Sequence, residues 1–151
     1  MISTMSSLRK AILLSCLLLP AAFTAACSGD TPTSPAPPFA QTDLRAGSGA
    51  PATSGNRVSV HYTGWFYDAS KPDQKGLQFE TNVGAASPFT FTLGIGQVIG
   101  GWDSGILNQR VGGLRRLVIP PSLAYGSVRR GPIPANATLI FEVDLISAEA
   151  Q

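Results

Sequence analysis

Pro-Phe-Thr-Phe-Thr-Leu-Gly-Ile-Gly-Gln-Val-Ile-Gly-Gly-Trp, residues Pro88 to Trp102, is the stretch on which the fold turns. Phe89, Phe91 and Leu93 alternate with Thr90 and Thr92, the period of a strand with one buried face. Gly94-Ile95-Gly96 then turns the chain. From Val98 to Leu107 the spacing changes: Val98, Trp102 and Ile106 stand four apart with Ile99 beside them, as one face of a helix requires. Gly100, Gly101 and Gly105 lie in this segment, and each costs about 1 kcal/mol against alanine. Such a helix does not persist alone and must be held by packing.

The flanking sequence supplies more strands. Val58, Val60 and Tyr62 alternate with Ser59, His61 and Thr63. Leu139, Phe141, Val143 and Leu145 alternate with Ile140, Glu142, Asp144 and Ile146. Leu114 to Ile119 gives a further strand, stopped by Pro120-Pro121. Asp43-Leu44 is expected to begin an outer strand, and Ala46 to Asn56 reads as loop. Gln41 to Gln151 is 111 residues, enough for one domain with its own core.

The first forty residues read differently. Met1 to Lys10 is polar and ends in Arg9-Lys10. Ala11 to Ala26 is an apolar run of 16 residues, broken by Ser15, Cys16, Pro20 and Thr24. A positive start, an apolar stretch and small residues before Cys27 make residues 1–26 a secretory signal peptide. The run is shorter than the roughly 20 residues that a spanning helix needs. Thr24-Ala25-Ala26-Cys27 is similar to the lipobox of bacterial lipoproteins, with Thr24 where leucine is usual. Cys27 is then the expected lipidated first residue, and acyl chains anchor at about 0.8 kcal/mol per buried CH2. Ordinary cleavage after Ala26 would instead release a soluble protein. Residues 27–40 form a tether rich in proline, serine and threonine, a composition that favours extended chain. The expected location is an exported protein anchored to a membrane and facing the periplasm. Ser28, in place of an aspartate after the cysteine, favours the outer membrane.

The whole chain carries 11 basic and 9 acidic side chains, and loss of Arg9 and Lys10 with the signal leaves 9 of each. That balance offers no basic footprint for nucleic acid. Conventional catalytic groups are missing as well. His61 is the one histidine, so no site with two histidine ligands can form, and its place in a strand reads as structural. No glycine-rich loop carries a lysine at the spacing a phosphate cradle needs. No cofactor and no metal are expected. What remains is a stock of aromatics, with Trp102 and Tyr125 beside glycines and loops, where a cleft wall is more expected than a core centre.

Val60-His61-Tyr62-Thr63-Gly64, the stretch from Pro88 to Trp102, and Ala124-Tyr125-Gly126 together resemble the FKBP-type peptidyl-prolyl isomerases in order, spacing and residue type. The resemblance runs over roughly 90 residues, from Val58 to Ile146. It implies an α+β fold: a strongly curved antiparallel sheet wrapped around one short helix. It implies a catalytic set of Tyr62, Phe79, Glu80, Ile99, Trp102, Tyr125 and Phe141, with Phe89, Val98 and Ile133 completing the substrate pocket. Trp102 would lie under the proline ring, and the Ile99 N–H and Tyr125 hydroxyl would hold the carbonyls flanking the bond. Expected partners are proline-containing polypeptides and macrolide immunosuppressants. A monomer is expected, with membrane contact through the lipid anchor alone.

Three positions depart from the family's pattern. Phe79 is followed by Glu80, where aspartate is usual. Tyr67 to Gln78 is longer than the tight turn of small members. The flap, Ser127 to Ala135, is one residue shorter and has Pro132 where isoleucine is common. Arg129 and Arg130 at its tip read as solvated, with selection of acidic clients as the alternative. The competing class is a proline-directed binding or chaperone module with little turnover. Glu80 keeps that class open, whereas Trp102 and Tyr125 favour the enzyme.

Overall fold

The structure, a computed structural model, describes residues 35–151. The segment read as a signal peptide, Cys27 and the first part of the segment read as a tether lie outside the described residues. The sheet is organised on β2 (Arg57–Tyr67), whose alternation removes Val58 and Val60 from solvent completely. On one side β2 pairs along most of its length with β6 (Leu139–Glu149). Beyond β6 come β5 (Leu114–Ile119) and then β1 (Ala40–Arg45). The other edge of β2 is shared. β4 (Phe89–Thr92) pairs with Arg57 to Val60, and β3 (Lys75–Thr81) pairs with Thr63 to Tyr67. All pairings are antiparallel, and register shifts interrupt them between Ser59 and Val60 and again from Gly64 to Tyr67. An extra residue on one strand sharpens bend and twist, so these shifts curve the sheet.

Inside the curve sits α1 (Gly100–Gly105), preceded by Ile99 as its N-cap. The expected fold class, a curved antiparallel sheet around one short helix, is therefore what forms. The helix is shorter than the apolar spacing implied, and its glycines have a packing reason. A Cβ on Gly101 would stand 2.4 Å from Ile119, and one on Gly105 would stand 2.6 Å from Leu117. Four residues of helix and two of strand both advance about 6 Å. The two glycines therefore match two successive inward residues of β5. Close approach to the sheet replaces helix propensity as the reason for these residues.

Arg115, on the same face of β5 as Leu117 and Ile119, secures the C-terminal end of the helix. It is buried, donates to the carbonyls of Gly105 at 2.9 Å and Leu107 at 3.1 Å, and forms a two-point ion pair with Asp43 of β1. The guanidinium holds the Asp43 carboxyl below the usual carboxylate range. The core comprises Val58, Val60, Phe91, Leu93, Trp102, Ile106, Leu117, Ile119, Leu139, Phe141, Val143 and Leu145 among others.

Three local features differ from the sequence reading. Phe39 packs against the core and β1 opens at Ala40, so the end of the tether segment joins the folded part. Part of the segment read as a long turn is β3, so the loop proper is residues 68–74. Ile140, expected on the open face with Glu142, is wholly buried. The loop crosses that face: the Asp73 carbonyl accepts from Arg116 on β5, and Lys75 pairs with Glu142 while stacking over Trp65 at 4.3 Å.

Candidate active site

Tyr62 stands where β3 and β4 part company along β2. The gap would leave its backbone unpaired, and Asn82 fills it. The Asn82 side chain accepts from the Tyr62 N–H at 2.6 Å and donates to Val60 at 3.2 Å, and its own N–H donates to the Tyr62 carbonyl at 3.1 Å. Tyr62 is thereby fixed on the concave side of the sheet, against Trp102.

Trp102 is 4% exposed and forms a floor. Tyr62, Phe141 and Phe89 meet its ring at interplanar angles of 79°, 88° and 71°, with centroids 4.9, 5.3 and 6.1 Å away. Near-perpendicular rings suit the positive edge and negative face of aromatic systems. They also make walls. The resulting cavity of about 290 Å³ is lined by Tyr62, Glu80, Phe89, Gln97, Val98, Ile99, Trp102, Tyr125 and Phe141.

The segment entering α1 is held by side chains. Asp103 accepts from the Gly94 and Gly96 N–H groups at 2.8 and 2.9 Å, and Gln97 accepts from Thr92 at 2.7 Å. Both glycines have positive φ, 83° and 77°, which only glycine adopts without strain. This clamp sets Val98 and Ile99 at the pocket edge. Among the described residues the Ile99 N–H has no acceptor, so it remains available to a ligand. Tyr125 is placed by the turn after β5, where the Gly126 N–H returns to Pro121 at 2.9 Å.

Eight of the ten pocket positions read from the sequence thus line one cavity. Phe79 and Ile133 instead line an adjoining cavity of about 470 Å³, together with Glu80, Tyr125 and flap residues 130–132. Phe79 backs the pocket wall, 5.7 Å from Phe141 and perpendicular to it. Cys27 lies outside the described residues. His61 faces away from the pocket chemistry, with Nδ1 3.1 Å from the Asn82 carbonyl. Sequence reasoning passed over Gln97, Asp103 and Gly64. A Cβ on Gly64 would meet Phe79 at 2.7 Å and Phe141 at 2.9 Å, so its absence lets both rings stand over β2. Glycine inside an alternating strand is itself the signal for such close approach.

The two pocket tyrosines keep their protons. Burial, then the facing Glu80 carboxylate, pushes Tyr62 up from 10.0 to about 12. Burial and Glu80 also raise Tyr125, partly offset by Arg130. Both hydroxyls therefore remain donors at neutral pH. A raised tyrosine pKa means that the folded chain holds the proton more tightly. The stabilisation is complete below pH 10 and is lost as pH climbs toward about 12. The denaturation midpoint of the wild type is expected to fall relative to Tyr62→Phe across that window; a constant difference between the two would refute this assignment.

Residues 49–146 match the family model of the FKBP-type peptidyl-prolyl cis-trans isomerase. An FK506-binding protein of Neisseria meningitidis serogroup B is 44% identical over 105 residues, covering 69% of this chain and 90% of that protein. FK506-binding protein 1 of Aspergillus oryzae is 44% identical over 106 residues, covering 68% and 91%. Among solved structures, FkpA from Escherichia coli superposes with a TM-score of 0.62 at 34% identity, over 74% of this chain and 48% of FkpA, about half its length. AtFKBP13 gives a TM-score of 0.62 at 33% identity, over 72% and 91%. With matching sequence, sheet and helix, the chain belongs to the FKBP-type peptidyl-prolyl cis-trans isomerase family.

Proposed function

We propose that this protein accelerates cis–trans isomerisation of X-Pro bonds in exported polypeptides, in the cavity floored by Trp102. The observation that carries the reading is the aromatic box itself: one buried indole with three rings standing on it, opening beside a free backbone N–H. An X-Pro bond must cross a barrier of about 20 kcal/mol by losing amide resonance. No bond to a hydrogen needs to break. The planar amide is more polar than the twisted one, so a pocket that excludes water destabilises the ground state more than the transition state.

Each residue has a part in this scheme. The proline ring lies on Trp102, enclosed by Tyr62, Phe89 and Phe141, with Phe79 and Ile133 supporting the wall from the neighbouring cavity. The Ile99 N–H and the Tyr125 hydroxyl receive the carbonyls on either side of the rotating bond. Val98 covers the pocket edge. Glu80 orients the Tyr62 hydroxyl. The same box suits macrolides of the FK506 type, the ligand named for the curated relatives.

The test is refolding of a protein whose slow phase is limited by proline isomerisation, which uncatalysed takes tens of seconds. Catalytic amounts of this protein are expected to shorten that phase in proportion to concentration, with FK506 suppressing the effect. An unchanged slow phase would overturn the reading. Export and anchoring through Cys27 rest on the sequence of residues 1–27. Wild-type protein is expected in the membrane fraction and Cys27→Ser in the soluble one; equal partition would exclude the lipid anchor.

A further inference from the structure

Two further cavities open beside the proline pocket, and Tyr125 and Arg130 line both. The first, described above, carries Glu80 and Arg130, so its charges oppose each other. The second, about 500 Å³, runs along residues 96–100 and shares Gln97, Val98, Ile99 and Tyr125 with the proline pocket. Arg130 is the one charged residue lining it. A peptide whose carbonyl meets the Ile99 N–H therefore has this groove as its next surface.

The backbone of Arg130 is held at the groove. Its backbone pairs with Ile133 in both directions, each bond 2.9 Å, across a turn where Gly131 has φ 55°. Its guanidinium carbon lies 5.9 Å from the centre of the Tyr125 ring. No carboxylate stands within ion-pair distance among the described residues. Arg129 differs: it lines neither groove, and its Nε folds back on the Gly131 carbonyl at 3.3 Å.

We propose that Arg130 is a specificity-determining residue that selects prolyl bonds with an acidic side chain next to the proline. The inference rests on the isomerase reading and adds a substrate class to it. An exposed cation over the face of Tyr125, with no carboxylate at ion-pair distance among the described residues, gains such a contact when the client supplies one. An exposed pair of this kind changes rate or affinity by up to about fivefold.

The experiment measures cis–trans exchange, at low salt, in Ala-X-Pro-Phe peptides with X leucine, glutamate or lysine, and in Ala-Leu-Pro-Z with Z glutamate or lysine. The full protein is expected to favour glutamate over lysine at one of the two positions by about threefold or more. Arg130→Glu should invert that order, Arg129→Ala should keep it, and about 1 M salt should erase it. Rates differing by less than twofold at both positions, or a preference that survives Arg130→Glu, would overturn the proposal. If even the leucine peptide is not turned over, the isomerase reading fails on its own. Affinities of the same five peptides, with the same variants, then decide the role of Arg130.

Discussion

Trp102→Leu is expected to lower kcat/KM for a Leu-Pro peptide by about 10- to 100-fold while the protein stays folded. The indole supplies both the floor of the box and the face on which Tyr62, Phe89 and Phe141 stand. Leucine keeps much of the apolar volume but offers no flat platform, and the three rings lose their perpendicular partner. Packing loss at a site 4% exposed should cost about 2–4 kcal/mol of stability. Thermal melts of wild type and variant, run beside the peptide assay, separate the two effects. A folded Trp102→Leu with wild-type turnover would mean that the reaction does not use this floor.

The second large effect is expected at Gly64, which touches no substrate. Its missing Cβ leaves room for the Phe79 ring and the Phe141 ring on opposite sides of one wall. Alanine would place a carbon 2.7 Å from Phe79 and 2.9 Å from Phe141, closer than the rings tolerate. Phe141 is 3% exposed and has little space to retreat except into the proline cavity. Overpacking of this kind costs about 1–3 kcal/mol. Because a displacement near 1 Å is expensive in a shaped site, kcat/KM should fall by about tenfold or more. Phe79→Leu on the same background removes the closer of the two clashes and should restore part of the activity, as contacting residues do when they couple. Equal losses in the single and double variants would show that the Phe79 contact is not the cause.

The elements that could be read from the sequence are those whose burial alternates. Val58 and Val60, Phe91 and Leu93, and Phe141, Val143 and Leu145 are buried at every second position, and period two follows directly. β3 had no such signal. It is an edge strand on which Leu77 is 75% exposed and Phe79 only partly covered, so neither face is marked. β1 is exposed along its whole length, and its anchor is the ion pair of Asp43 with the buried Arg115 rather than an apolar face. Ile140 misled in the opposite sense. Its outer face is covered by the loop of residues 68–74, and a loop that folds back on a sheet leaves no trace in the strand it covers.

The site was legible in its aromatics and less so in its supports. Tyr62, Trp102, Tyr125 and Phe141 are large side chains in distinctive surroundings, and they converge. Asn82, Asp103 and Gln97 act through one or two side-chain hydrogen bonds to backbone groups far from them in the chain or across a turn. Polar residues in loops and in the first turn of a helix are ordinary, so nothing in their type announces these roles. The glycines of α1 read as a helix penalty because propensity is local, whereas their purpose is the approach of Ile119 and Leu117 from β5.

One measurement separates turnover from binding: two-dimensional NMR exchange on a Leu-Pro peptide with increasing amounts of the full protein. Catalysis at the Trp102 box requires cis–trans exchange peaks whose rate grows in proportion to protein, together with peptide shifts that saturate. Saturating shifts without faster exchange would contradict the isomerase and leave a proline-binding module.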